Sequence, residues 1–556
     1  MMDWPVNRRW IWPLAAILLL VLYAVLVADL PSEVPASAYD DDLFIKQALS
    51  IKKGLWLGKQ YNQFTLIKGP FHSIQLAVAS FLGLSPAFWL RCLYAFAAWA
   101  FCCLALPAAA VWMRVSALAC LLFDPWLISM YGGLRLLREA TYIPFEIIAL
   151  TAAVFAVDRL RTREKDRQFL DWQVWLSISL SGLSLGLLLI TREARIIVFS
   201  MAGLILLLLV ISLIRRRFRS RKSWLNLTML SLCFVALLSA PLSAVRLANE
   251  QSYSLFISNE FEDGAFKAFY QDLISVKIPG EPYKPWVPIT QSALNQLHDL
   301  EPDTVLAQTI SHLNPGWKEP GCRLRSEVCG EYAGGWLMWA WRSALFQSAS
   351  PSDPGQFQAL IRQSHQELTA ICRSNPTILD CRRSASGYLP WPSRWGEPQG
   401  AFPAFFAAVG QHAQGLLLVD RFRQPFQYGP VTDQIKAAKR LGVQLPPRAP
   451  SRLKALNRRI QQLRFTGVSF RWMMLAVASL WMLIQRRLIP QMLADPGTWL
   501  LAVFGSLQLL VLVLVQVSSF ESTLYLTMVS PLLTMLVWRM VVMLKPVGVT
   551  SNPSLS

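Results

Sequence analysis

Runs of about 20 apolar residues are what a helix needs to cross the hydrocarbon core of a bilayer, and they dominate this 556-residue chain. Backbone groups in lipid must bond within their own segment, so such runs read as membrane helices. Ten are placed near 10–28, 86–106, 110–129, 140–158, 173–190, 195–214, 224–244, 467–485, 497–517 and 523–545. The expected fold is an all-α polytopic membrane protein with about ten transmembrane helices. Three parts follow: a membrane module at 1–244 with seven spans and a first external loop at 29–85, a mainly helical extracytoplasmic domain at 245–465, and three C-terminal helices with a short cytoplasmic tail at 466–556. Composition agrees, with 54% hydrophobic and 16% charged residues against roughly 25% charged in soluble domains.

A net charge of +19 invites a nucleic-acid partner, but the positions of the charges exclude it. They sit in short clusters beside apolar runs, at Arg8-Arg9, Arg159 to Arg167, Arg215 to Lys222 and Arg486-Arg487. That is the positive-inside pattern, which sets orientation and favours anionic lipid headgroups. The first span is kept as a permanent helix, because cleavage after Ala28 would put Leu26 where a signal peptidase prefers a small residue. Alternating from a cytoplasmic N-terminus leaves the clusters at 159–167 and 215–222 inside. The polar knots Arg135-Leu136-Leu137-Arg138-Glu139 and Thr191-Arg192-Glu193-Ala194-Arg195 then fall outside together. Charges at such helix ends are costly unless paired or functional, the alternative being structural salt bridges and snorkelling arginines.

Two stretches of the polar region complicate the topology. Phe402 to Val419 is borderline for a span and is interrupted by Gln411, His412 and Gln414. Arg452 to Arg464 is strongly basic immediately before a span, against the charge rule if that side is external. A basic interfacial helix holding anionic lipid or a lipid phosphate explains it. Alternatively, 402–419 crosses the membrane and inverts everything after it.

Of nine cysteines, Cys92, Cys102, Cys103, Cys120 and Cys233 lie in apolar runs and read as packing residues. Cys322, Cys329, Cys372 and Cys381 fall in the polar region, where four suit disulfides in an oxidising compartment with three connectivities open. Their spacing does not suit zinc. The region contains no Asn-x-Ser/Thr acceptor.

The first external loop holds Tyr39-Asp40-Asp41-Asp42-Leu43-Phe44, followed by an amphipathic segment with Phe44, Ile45, Ala48 and Leu49 on one face. Carboxylates at the head of a helix are favoured by its dipole, and at a bilayer edge they also stand where a general base would be placed. Downstream come Gly54-Leu55-Trp56 and Thr65-Leu66-Ile67-Lys68-Gly69-Pro70. Residues 71–83 are apolar but short and carry His72 and Gln75, which suits an interfacial helix. A carboxylate so placed can take the proton of an attacking hydroxyl, and cations beside it can meet an anionic leaving group.

These motifs resemble the multi-spanning GT-C glycosyltransferases, the superfamily of the aminoarabinose and protein O-mannosyl transferases. The match reads Asp40-Asp41-x-x-Phe44-x-x-x-Ala48, Gly54-x-Trp56 and Lys68-Gly69-Pro70. Thr191-Arg192-Glu193 resembles a Thr-Arg-Glu-Glu-Gly pattern of bacterial relatives, with Ala194 in place of the second acid. The likeness covers roughly the first 245 residues and is looser in the last three helices. It implies an inverting transferase that moves a sugar, hexose or pentose, from a polyprenyl-phosphate donor to a glycan, lipid or protein acceptor. A bacterial inner membrane with the site on the extracytoplasmic side is the implied location, and membrane lipids are the implied surroundings. Asp40 matches the catalytic base, Asp41 its acidic neighbour, and Asp42 stands close by. Lys68 matches the donor-phosphate lysine, with Arg138 and Arg192 as helpers. Glu139, Glu193, His72 and Tyr39 are candidates to orient the acceptor or the cations. Many such enzymes need no metal and some use a divalent ion; Asp40, Asp41 and Asp42 are the residues that would hold one here (Mg or Mn).

Two other classes compete: a transporter or flippase of lipid-linked saccharides, and a non-catalytic scaffold with this fold. Transporters carry charges near the bilayer midplane on broken helices, whereas the span interiors here read as free of them. Trp336-Leu-Met-Trp339-Ala-Trp341 and Trp391 to Trp395 are candidates to stack on sugar faces, although the helical spacing of the first suits a core or membrane-facing stripe better.

Overall fold

The computed structural model describes residues 10–34, 40–128, 134–162, 172–215, 221–282, 284–381, 401–418, 433–484, 490, 493–518 and 522–543. These residues are all-helical, and β pairing among them is confined to two single-residue bridges, Glu33 with Arg135 and Lys277 with Asp380. The chain is an integral multi-pass membrane protein. Its first nine helices are α1 (Ile11–Ala28), α2 (Asp40–Lys52), α3 (Phe71–Phe81), α4 (Pro86–Leu104), α5 (Val111–Leu122), α6 (Glu139–Thr162), α7 (Trp172–Leu189), α8 (Arg195–Arg215) and α9 (Arg221–Tyr253). The polar region folds as α10 (Gly264–Leu273), α11 (Gln291–Leu300), α12 (Val305–Ser311), α13 (Glu319–Leu324), α14 (Gly334–Ala349) and α15 (Pro354–Ser374). Then come α16 (Ala401–Leu418), α17 (Asp433–Arg440), α18 (Pro450–Ile484), α19 (Pro496–Ser518) and α20 (Leu526–Met543).

Eight of these, rather than ten, are long and apolar enough to cross a membrane among the described residues: α1, α4, α6, α7, α9, α18, α19 and α20. The span expected at 110–129 is broken. Its helix α5 has only 12 residues and gives way to a short 3-10 turn at Pro125–Ile128. Pro125 has no N–H to continue the ladder and disfavours helix at the residue before it. Asp124 stabilises the turn by accepting the Trp126 N–H at 2.9 Å. The span expected at 195–214 is present as α8, but its apolar part, Arg195–Ile211, is shorter than the others.

Close helix contacts hold the site's supports in register. A Cβ added at Gly182 or Gly186 of α7 would collide with the Phe234 or Leu238 carbonyl of α9. Small residues four apart let two backbones approach, as membrane helices favour. At the head of α4, Arg91 donates to the Val27 and Leu30 carbonyls at 3.0 and 2.9 Å, tying it to the end of α1.

The polar region shares one apolar core with the first external loop. Leu43, Phe44, Ile45 and Ala48 of α2 pack in the same cluster as Phe266, Trp341, Phe357 and Leu441. The domain boundary drawn at 245 is therefore a boundary in sequence more than in packing. Cys322 is disulfide-bonded to Cys329, and Cys372 to Cys381.

α16 does not carry the chain to the opposite face. Before it, Asp380 bridges Lys277. After it, α17 packs on α2 and the Gln444 carbonyl accepts the Ser32 N–H at 2.8 Å. Between those points α16 leans on the end of α19, with Ala408 against Val513 and Val517. The basic stretch 452–464 is not a separate interfacial helix. It forms the first turns of the 35-residue α18.

Candidate active site

α2 opens with all three acids in its first turn, where its dipole favours them. Successive helical residues point about 100° apart, so the three carboxylates separate. Asp41 is fully buried and accepts from Arg135, with Nε–Oδ1 at 3.3 Å and the Nη2–Oδ2 pair closer still. Asp42 is also buried and takes the Lys46 ammonium one turn on, at 2.6 Å. Asp40 is different: its side chain is 28% exposed, and its ion pair among the described residues is a loose one, 3.9 Å from Arg138 Nη2.

The second contributor is the Lys68-Gly69-Pro70 corner. A Cβ on Gly69 would run into the Ile190 carbonyl oxygen, which also accepts the Phe71 N–H at 3.2 Å. Glycine is what lets this corner press against the end of α7. It thereby brings Lys68 beside the Thr191-Arg192-Glu193 turn that follows. Lys68 Nζ stands 3.4 Å from Glu193 Oε1. Arg138 donates to both oxygens of Glu193, at 3.0 and 2.8 Å. Arg192 donates to Glu139 Oε1 at 2.8 Å and lies over the Tyr525 ring.

Burial and charge act together here. Burial drives the Asp41 carboxyl above its ordinary range despite Arg135. It lowers the Lys68 ammonium, with Glu193 opposing. Glu193 would also be pushed up by burial, but Arg138 and Lys68 outweigh that and hold it at about 2. Arg138, facing Glu193, Asp40 and Glu139, is more firmly protonated than a free guanidinium.

The predicted residues Asp40, Asp41, Asp42, Lys68, Arg138, Glu139, Arg192 and Glu193 thus gather on one face of the bundle. Tyr39 and Trp391 to Trp395 lie outside the described residues. His72 is present but fully buried, with Nδ1 2.7 Å from Thr141 Oγ1 and Nε2 3.1 Å from the Leu136 carbonyl. Burial lowers its pKa to about 3, so it is a neutral bolt between α3 and the start of α6. Arg135 belonged to a polar knot in the sequence, but nothing local marked it as the partner of Asp41, 94 residues away. Phe261 emerges only in space, and Trp339 of the Trp-rich stretch joins it, their rings 5.2 and 6.0 Å from Lys68 Nζ. A metal fits poorly. The three aspartates face separate partners, and no group of three or more His, Cys, Asp or Glu side chains among the described residues is arranged to hold an ion.

No family model matches the chain, and no curated protein matches it. Among solved structures it is similar to ArnT from Cupriavidus metallidurans in the apo state. The identity is 13% over 96% of this chain and 77% of that one, with a TM-score of 0.31. The same protein bound to undecaprenyl phosphate gives 13%, 95%, 77% and 0.29. The archaeal oligosaccharyltransferase AglB from Archaeoglobus fulgidus, in complex with an inhibitory peptide and a dolichol-phosphate, gives 10%, 80%, 68% and 0.28. Likeness at this level carries no assignment, and what the face can do rests on its residues.

Proposed function

We propose that this chain is a GT-C-type glycosyltransferase that moves a sugar from a polyprenyl-phosphate donor to a hydroxyl of a glycan, lipid or protein, on the extracytoplasmic side of a bacterial inner membrane. One observation carries the reading. Four separate segments deliver a loosely held carboxylate, Asp40, to the same place as two cations, Lys68 and Arg138, that share one glutamate. Asp40 serves as general base because Asp41 and Asp42 are already committed to Arg135 and Lys46. It takes the acceptor hydroxyl proton as the new glycosidic bond forms and the bond from the anomeric carbon to phosphate oxygen breaks. A single displacement of this kind inverts the anomeric centre. The departing phosphate competes with Glu193 for Lys68 and Arg138, so its developing charge meets cations already in position. Glu139 orients Arg192, Asp41 anchors α2 through Arg135, and His72 holds α3 beneath them.

The test is sugar transfer from a labelled polyprenyl-phosphate donor by the purified, folded Asp40→Asn protein. Turnover at the wild-type rate sinks the reading. A second reading, translocation of a lipid-linked saccharide, is favoured by one finding that corrects the expectation of charge-free span interiors. Glu146 is buried within α6, two residues after Pro144. Scrambling of labelled donor across liposomes by the Asp40→Asn variant would support it.

A further inference from the structure

The basic stretch that opens α18 runs against the positive-inside pattern. Arg459 Nη2 donates to the Leu26 carbonyl at 3.1 Å, which fixes these turns at the end of α1 that leads into α2 and its acids. Arg452, Lys454, Arg458, Arg459 and Arg464 fall within them, and α18 contains no acid to offset them. So much positive charge at one bilayer edge calls for an anionic partner.

The helical register says which of these cations face outward. Leu453, Leu456, Ile460 and Leu463 turn inward and pack on the membrane core. Lys454 and Arg458 lie on the opposite side, one turn apart, and both are exposed. Asp29, by contrast, lines a cleft with Leu456 on the inward side. Continued down the helix at spacings of seven, seven and eleven residues, the outward line carries Phe465, Trp472 and Leu483. These are 75%, 41% and 70% exposed. From Phe465 to Ile484 the helix rises about 30 Å, the thickness of a hydrocarbon core. Phe465 therefore stands at the edge of the acyl layer, with Arg458 two turns, about 10 Å, above it. A long cationic side chain at that height reaches the phosphate layer.

We propose that Lys454 and Arg458 bind the headgroup of an anionic phospholipid from the leaflet on the Asp40 side, with its acyl chains along Phe465 and Trp472. Cations directly above an exposed apolar stripe match a molecule that is phosphate at one end and hydrocarbon at the other. Phosphatidylglycerol brings a net negative charge to the pair, whereas the ammonium of phosphatidylcholine offsets its own phosphate. The stripe lies on the outer surface of the bundle, where bilayer phospholipids outnumber any polyprenyl carrier. This site is independent of the transfer reaction.

The test uses the full chain in neutral detergent with mixtures of phosphatidylglycerol and phosphatidylcholine, and native mass spectrometry counts the lipid retained. The wild type is compared with Lys454→Gln/Arg458→Gln and with a control, Arg362→Gln/Arg373→Gln, which removes two exposed arginines of α15. The wild type and the control should prefer phosphatidylglycerol by the same margin. Lys454→Gln/Arg458→Gln should lose roughly 30-fold of that preference, the effect of two near-surface cations together. No preference in the wild type, an undiminished one in Lys454→Gln/Arg458→Gln, or an equal loss in the control overturns the proposal. Displacement of phosphatidylglycerol by inorganic phosphate marks a site for a free anion and also overturns it. Displacement by one equivalent of polyprenyl phosphate marks a carrier site and does the same. If the double variant does not fold, Lys454→Gln and Arg458→Gln are tested singly. Each should then lose roughly 5-fold, and an unchanged preference in both sinks the idea.

Discussion

Two ionic clusters stand at opposite ends of α6, and they are built differently. Glu139 and Asp158 are separated by about 28 Å of helix at 1.5 Å per residue. At the far end, Arg539 is 1% exposed and spends its guanidinium on Asp495 at 3.0 Å, Asp158 at 2.7 Å and the Ala105 carbonyl. Asp495 also accepts from Thr498 N and Oγ1, both at 2.8 Å. Arg539 and Asp495 are buried and each has close partners, with Arg161 at the rim, 3.6 Å from Asp495, so that cluster is a clamp joining α4, α6, α19 and α20. At the proposed active face Asp40 is partly exposed and 3.9 Å from Arg138, and one glutamate serves both Lys68 and Arg138. The difference teaches that charge near a membrane face is not by itself a functional sign. What separates the two ends is whether a charge remains incompletely used.

The contrast can be broken by mutation. Asp40→Asn should lower transfer by about 10²–10⁴-fold, the range for loss of a general base, with no change in melting temperature. A stability loss matching the activity loss would make Asp40 structural. Arg539→Met should do the reverse, costing about 3–5 kcal/mol because it leaves buried carboxylates unpaired, while activity per folded molecule stays intact. Denaturant titration of the purified protein measures it. Lys68→Met should reduce kcat/KM for the donor by roughly 10- to 100-fold, corresponding to about 1.5–3 kcal/mol for a hydrogen bond to a charged group. An equal reduction for every acceptor tried is part of that expectation.

Acid titration sharpens the picture with smaller effects. The folded pKa of His72 is about 3 against 6.5, so the unfolded chain binds that proton more readily and stability declines as pH falls from about 6.5 toward 3. His72→Gln should flatten that window. The folded pKa of Glu193 is about 2 against 4.5. Its contribution is therefore fully present above about 4.5 and lost as pH falls toward 2. Stability measured between pH 7 and 3 in wild type and His72→Gln separates the two windows.

Much of the site was legible because it is written in local pattern. Acids heading an amphipathic helix, a lysine before Gly-Pro, and Thr-Arg-Glu after an apolar run each announce themselves within a few residues. Which of Asp40, Asp41 and Asp42 stays available was not legible, since it depends on Arg135 arriving from 94 residues away. The break of α5 was half legible: Pro125 is visible in the sequence, but the depth of Asp124 is not. Nothing in residue spacing paired Cys322 with Cys329 rather than with Cys372.

Apolar length determined where this chain enters lipid, because a helix crossing is a local requirement of backbone hydrogen bonding. Positive clusters and the acidic head of α2 determined, equally locally, which stretches meet at one face. Only the tertiary structure decided which charges there are spent and which remain usable. Pairing and burial depend on neighbours brought from distant segments, and the energy of an ion depends on everything around it.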